Sequence, residues 1–401
     1  MRRLFVSLAA GSTLALAAPA LAQTTAETAP PNAPDQTPAF ENQTRAPLPE
    51  QPVEVNVETV AGGLPHLWSM EFLPDGRMLV TAKEGALYIV APDGTTSDPI
   101  EGVPEVDDDG QGGLLDVALS PDFANDGMIY FSFSEPRDGG NGTSVARARL
   151  VEDGAPHLQD VEVIFRQMPT YDGDKHFGSR LAFSPDGKLY VTVGERSDTP
   201  IRDQAQSVES GLGKTFRINP DGSVPDDNPF VGQEGAVPEI WSYGHRNLQA
   251  ATLGPDGALW TVEHGPQGGD ELNHPQAGKN YGWPIITYGE NYNGRPIGDG
   301  ITEQEGMEQP VYYWDPVIAP SGMAHYAGDE FPEWNDTFLI GGLVAQGVVV
   351  LDMQDGRVAS EQRIPLRARV RDVKVGPDGA VYAVTESRGG PSSILRLTHG
   401  G

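Results

Sequence analysis

The chain has 401 residues, no cysteine and a formal net charge of −30. The missing thiols exclude a disulfide framework and a thiolate metal site. The acidic surplus excludes nucleic acid and anionic lipid as partners, because both are held by clustered Lys and Arg.

Residues 1–22 read as a signal peptide. Arg2 and Arg3 precede an apolar run from Leu4 to Leu16, and Ala20-Leu21-Ala22 offers a small-residue cleavage site. The run is too short for a membrane span. The expected product is a periplasmic chain with no membrane span, its charge taken from −30 to −32 by loss of Arg2 and Arg3. Residues 23–51, rich in Pro, Ala and Thr, predict a disordered leader. Residues 52–401 form the folded part, opening on the alternating Val53-Glu-Val-Asn-Val57.

One phrase then recurs: an apolar strand end, a Pro-Asp-Gly turn and a second alternating strand. It occurs at Phe72–Val80, Phe183–Val191, Leu253–Thr261 and Val375–Ala383, with a variant at Leu119–Phe123 that carries Phe in place of Gly. Pro presets φ for the first turn position and Gly accepts the positive φ that follows. The marker prolines Pro74, Pro121, Pro185, Pro255 and Pro377 are spaced by 47, 64, 70 and 122 residues. The last step is about double, so a degenerate copy belongs between them, at Ser321–Tyr326 with Phe338–Gly342. Six four-stranded units without helical periodicity predict an all-β, six-bladed β-propeller, with a site on one face built from loops around the channel. The long loops Val106–Gly113, Gln167–Arg180, Ser197–Asp227, His264–Gly298 and Arg363–Asp372 are candidates to build it.

Glu239–Tyr292 is the densest stretch. Arg246 offers a planar fork suited to a carboxylate or quinone oxygen, and Asn247 adds a donor and an acceptor. The Gly-rich turn after His264 frees carbonyls for a hard cation, with Asp270 or Glu271 as anionic donors. His176 sits on a loop before a strand and is suited to general-base work, and Glu195 orients it if the hairpin brings the two together. Gln111 lies in a glycine-rich turn open to a flat ligand. Arg367, Arg369 and Arg371 share one strand face, where they repel unless anions sit between them. Dinucleotide, Walker A and GxSxG signatures are absent.

In order along the chain, GQGGLLDVALSPDF, HFGSRLAFSPDGKLYVTVGER, GKTFRINPDGSVPDDNPF, EIWSYGHRN and EHGPQGGDE…GKNYGWP resemble the soluble aldose sugar dehydrogenases of the glucose/sorbosone dehydrogenase family. These enzymes depend on pyrroloquinoline quinone (PQQ). The resemblance covers about Val53 to Leu397. It implies PQQ and calcium (Ca2+) as cofactors and oxidation of an aldose to its lactone, with electrons leaving to an external acceptor. It makes His176 the base, steadied by Glu195. Gln111, Arg246, Asn247 and Tyr292 become quinone contacts, and Arg369 and Arg371 hold its carboxylates. The carbonyls of Gly265 and Pro266 become ligands of a calcium at the cofactor. Glu271 and the Tyr281 carbonyl become ligands of a separate structural calcium. Val344 departs from the pattern, standing where relatives often carry a lysine. A calcium-dependent propeller lactonase and a non-catalytic binding propeller remain alternatives at this level.

Overall fold

The computed structural model describes residues 24–401 except 200 and 389. The expected signal peptide, residues 1–22, lies outside the described residues. Six sheets follow one another along the chain, five of four strands and one of three. Their innermost strands are Leu67–Phe72, Leu114–Leu119, Leu181–Phe183, Leu248–Leu253, Pro320–His325 and Arg369–Val375, one for each of blades one to six. Each touches the next and the last touches the first, closing a ring. The six-bladed propeller is therefore as expected, and the degenerate fifth copy is a full blade built on Pro320–His325 and Thr337–Gly342.

Blade six closes the ring with two ends of the chain. Val55–Leu64 pairs antiparallel with Ser392–His399, from Val55 opposite His399 to Leu64 opposite Ser392. Blade one has three strands, and isolated bridges from Leu87 to Ile100 and Val90 to Thr96 stand in for the fourth. The repeated turns join the first two strands of their blades. Their glycines Gly76, Gly187, Gly257 and Gly379 have φ of 85, 76, 76 and 77°, a left-handed conformation in which a Cβ is costly. Apolar side chains fill the gaps between blades: Phe131 and Leu114 with Leu79, for example, and Trp260 with Phe338 and Val349. Ser197–Asp227, expected as one long loop, contains the 3₁₀ turn Ile201–Gln206 and the buried strand Lys214–Ile218. No helix among the described residues is long and apolar enough to cross a membrane.

A buried polar plug crosses the channel. Arg180 Nη1 lies 3.0 Å from both Asp116 Oδ1 and Asp372 Oδ1. Ser69 Oγ donates to Asp116 at 2.6 Å and lies 3.1 Å from Asp372 Oδ2, and Arg180 Nε donates to the Gln249 carbonyl at 2.8 Å. Five blades thus meet at one charged knot. It separates two cavities: one at the starts of the inner strands, and one at their ends beside Glu71, Phe183, Leu253 and Lys374.

The stretch expected as a disordered leader is instead laid along blades four and five. Asp315 accepts the backbone N–H groups of Asn32 and Ala33 at 2.7 and 2.9 Å. Arg45 donates to the Asp315 carbonyl at 2.7 Å, Arg363 pairs with Glu27 at 2.7 Å, and Gln43 and Ala46 are fully buried. Composition reports the lack of large apolar residues but not these distant polar anchors. Asp315→Ala removes the acceptor of two amides. Hydrogen bonds to a charged group are worth about 1.5–3 kcal/mol, so trypsin is expected to cut after Arg45 at least about tenfold faster. Equal cleavage rates in variant and wild type would refute this anchoring.

Candidate active site

The cavity at the starts of the inner strands has a volume of about 380 Å³. Its wall includes Gln111, Asn247, Arg369 and Arg371 from the expected set, together with His66, Trp68, Lys83, His264, Glu386 and Arg388. Counting fixed charges, Lys83, Arg369, Arg371 and Arg388 face the single carboxylate Glu386. In a chain of net charge −30 the wall therefore carries a local surplus of three positive charges.

His176 is held beside this wall. Its backbone N–H donates to Gln111 Oε1 at 2.9 Å, and the Gly178 N–H donates to Asn247 Oδ1 at 3.2 Å. The residue adopts φ of 51°, a left-handed conformation that a non-glycine residue keeps only when its surroundings hold it there. Gly194 on the facing segment makes the fit possible, because a Cβ there would overlap the His176 carbonyl. The ring is buried, and Nδ1 lies 2.6 Å from Glu195 Oε2. A carboxylate acceptor fixes the proton on Nδ1 and leaves Nε2 with its lone pair. Glu195 is fully buried. It is held by the Trp283 indole N–H at 3.2 Å and the Ser197 backbone N–H at 3.1 Å, while its own N–H donates to the Arg246 carbonyl at 2.9 Å. Burial lowers the pKa of His176 and Arg246 lowers it further, outweighing Glu195, so the imidazole stays neutral below the usual histidine range. Burial raises Glu195, but His176 and Arg246 outweigh it and keep the carboxylate ionised.

Arg246 lies behind the wall rather than on it. It donates through Nη1 to the His264 carbonyl at 2.9 Å, its Cζ sits 5.1 Å from the Trp283 ring centre, and its buried Nε has no partner. It borders a small cleft of about 10 Å³ shared with Glu263, Gly265, Glu271 and Tyr281. That is room for about one water or one ion. Glu263 and Glu271 face each other across adjacent strands, a like-charged pair that is unfavourable without a counter-ion. Burial and the facing Glu263 push Glu271 well above the usual carboxylate range. Asp270, read as a possible cation donor, is spent otherwise. Its carboxylate accepts the N–H groups of Gly265, Ile318 and Ala319, each at 2.8 Å, and so closes the turn carrying Gly265 and Pro266. Burial lifts it to about 7 despite those donors.

Tyr292 is the expected contact that the structure sets apart. It is 76% exposed and outside the cavity wall. The tight turn from Asn291 to Arg295, closed by the Asn291 N–H to the Arg295 carbonyl at 2.8 Å, carries the ring on its tip. Arg367, which was placed on one strand face with Arg369 and Arg371, precedes that strand and has φ of 56°. Glu386 was missed. It stands opposite Arg369 in the ladder and takes bonds from the Nε of both Arg369 and Arg371 at 3.0 Å, with His66 Nε2 at 3.0 Å. A clustered Arg pair was the signal that a carboxylate belonged opposite, but only the strand register says which one.

The model of the Glucose / Sorbosone dehydrogenase family matches residues 64–396. The chain belongs to this family. It is 44% identical to the aldose sugar dehydrogenase YliI of Escherichia coli over 84% of this chain and 92% of that relative. Among solved structures it is similar to the apo form of the soluble aldose sugar dehydrogenase of E. coli, with 43% identity, a TM-score of 0.82, and coverage of 86% of this chain and all of the other. It is also similar to the PQQ-bound aldose sugar dehydrogenase of Streptomyces coelicolor, with 31% identity, a TM-score of 0.71, and coverage of 86% and 99%. The family assignment agrees with the fold.

Proposed function

We propose that this protein is a PQQ- and calcium-dependent dehydrogenase that oxidises aldose sugars at the anomeric carbon to the lactone. The observation that carries the reading is a neutral imidazole, oriented by a buried carboxylate, beside a cavity wall with a surplus of three positive charges. PQQ is a tricarboxylate, so its charge matches that surplus, and Asn247 on the wall suits a quinone oxygen, while Arg246, behind the wall with its buried Nε unpartnered, is assigned to the quinone by the family resemblance. When bound, PQQ supplies a two-electron carbonyl acceptor for the hydride leaving the anomeric carbon. His176 Nε2 takes the proton of the anomeric hydroxyl as that hydride departs. Glu195 keeps the proton on Nδ1 and stabilises the imidazolium that results. The wall residues Gln111 and Asn247 would hold the quinone, and Arg369 and Arg371 would hold its carboxylates.

The Gly265 and Pro266 carbonyls are the ligands proposed for a calcium at the cofactor, where a divalent ion polarises the reactive carbonyl. Glu271 and the Tyr281 carbonyl are those proposed for a structural calcium, whose charge would relieve the Glu263–Glu271 pair. Among the described residues no three His, Asp or Glu side chains converge on one point, so carbonyl oxygens must carry much of either site. The lactonase alternative predicts carboxylate or Asn ligands pointing into the channel, and the Arg369 and Arg371 lining favours the quinone instead. Export to the periplasm, read from Arg2, Arg3 and the apolar run after them, places the enzyme where both cofactors are available.

The test is reconstitution. Chelator-treated protein is titrated with PQQ in the presence of calcium and followed by the quinone absorbance, then by dye reduction with a panel of aldoses. Saturable binding and turnover are expected. Calcium removal is expected to lower Tm as well, because ΔG falls by RT ln(1 + [L]/Kd), about 2.7 kcal/mol at a hundredfold excess over Kd. Absence of PQQ binding with calcium present would overturn the assignment.

A further inference from the structure

The fork formed by Arg369 and Arg371 is half spent before any ligand arrives. Glu386 takes the Nε of each arginine at 3.0 Å and Arg371 Nη2 at 3.1 Å. Burial raises the Glu386 pKa, but His66 and Arg371 outweigh it, and the carboxyl stays ionised far below its usual range. The fork and its carboxylate together carry one net positive charge. A tricarboxylate needs two more.

Two cations on the same wall are not absorbed by the expected set. Lys83 follows the second strand of blade one, and Arg388 follows the strand Val381–Glu386 of blade six. The Lys83 ammonium donates to the Asp108 carbonyl, on the loop that also carries Gln111, and has two further donors. The neighbouring stretch of blade five does not help. Leu343 lines the cavity, and Val344, where a cation was expected, is an apolar residue 55% exposed.

We propose that Lys83 and Arg388 are cofactor-binding residues that supply the two positive charges left wanting after Glu386 has neutralised one arginine, and that they stand in for the lysine missing at Val344. This rests on the quinone reading above. Blades one and six thereby grip the carboxylates between them, with Lys83 on one side of the Arg369–Arg371 fork. Lys83 is half-buried and Arg388 is exposed, so each is worth about tenfold in affinity, toward the low end for a charge-assisted bond.

The experiment is equilibrium titration of apo protein with PQQ at fixed calcium, for the wild type, K83M/R388M and K83R/R388K, at two salt concentrations. The charge-removing pair is expected to bind about a hundredfold more weakly, with a flatter salt dependence. The charge-keeping pair is expected within threefold of wild type, which separates charge from any loss of the Lys83 bond to Asp108. The proposal stands if the first pair loses tenfold or more while the second stays within threefold, and any other pattern in a PQQ-binding wild type overturns it. A wild type that binds no PQQ overturns the quinone reading itself.

Discussion

A His176→Ala variant is expected to bind PQQ and calcium as the wild type does and to oxidise aldoses about 10²- to 10⁴-fold more slowly, the usual worth of a positioned base. The loss should fall on kcat, because the imidazole matters most as the proton moves. His176 meets the cavity through its backbone N–H to Gln111, and that bond survives truncation at Cβ. Binding and chemistry are therefore separable in this variant. Burial and Arg246 lower the His176 pKa more than Glu195 raises it. Protonation of the base thus begins at lower pH than for a free imidazole, near 6.5, and the rate should hold through neutrality and fall only on the acid side of that value. Glu195→Gln keeps an acceptor for Nδ1–H but cannot stabilise an imidazolium, so its rate should drop by a smaller factor. Dye-coupled turnover under saturating cofactor checks all three. A His176→Ala variant within twofold of wild type would remove the base from the mechanism.

The propeller was legible because its turns make a local demand. A Pro-Asp-Gly turn needs a fixed φ and then a positive one, so the residues that satisfy it recur at Pro74, Pro185, Pro255 and Pro377 and mark the blades by themselves. Blade five lost that turn, and only the doubled spacing pointed to it. The histidine and its carboxylate were legible for a related reason: His176 and Glu195 flank the strands of one hairpin, so local pairing brings them together. What stayed hidden depends on contacts between distant segments. Glu386 becomes a counter-ion through strand register, and Lys83 joins the wall through ring closure. The stretch before residue 52 folds onto blades four and five through distant polar anchors, among them an aspartate 282 residues away from Ala33 and the Arg363–Glu27 pair. Tyr292 stands apart for the opposite reason: a family position says nothing about how the Asn291–Arg295 turn is aimed, and that turn leaves the ring 76% exposed and off the cavity wall.

Arg180→Met is expected to destabilise the protein by about 3–5 kcal/mol, the cost of breaking a buried ion pair by removing one partner. The side chain is nearly the right length and apolar, so little volume is lost. The cost comes from what remains: Asp116 and Asp372, 2% and 1% exposed, keep Ser69 and backbone amides as hydrogen-bond partners and only the more distant field of Lys374, which is already paired with Glu71. Burial lowers the Arg180 pKa, but Asp372 and Asp116 raise it by more, so the guanidinium answers two carboxylates at once. Changing those carboxylates as well, in R180M/D116N/D372N, should recover much of the loss, because no uncompensated charge is then buried. Thermal unfolding distinguishes the cases, with the single variant expected to melt roughly 4–7 °C lower. A single variant melting within 1 °C of wild type would show that the knot is not a structural requirement. The plug also reaches the site, since Arg180 Nε and Nη2 hold the carbonyls of Gln249 and Arg371 at 2.8 and 3.3 Å, and both residues line the cofactor cavity. Loss of the knot should loosen the cavity floor, so the triple variant, though folded, is expected to bind PQQ more weakly than wild type.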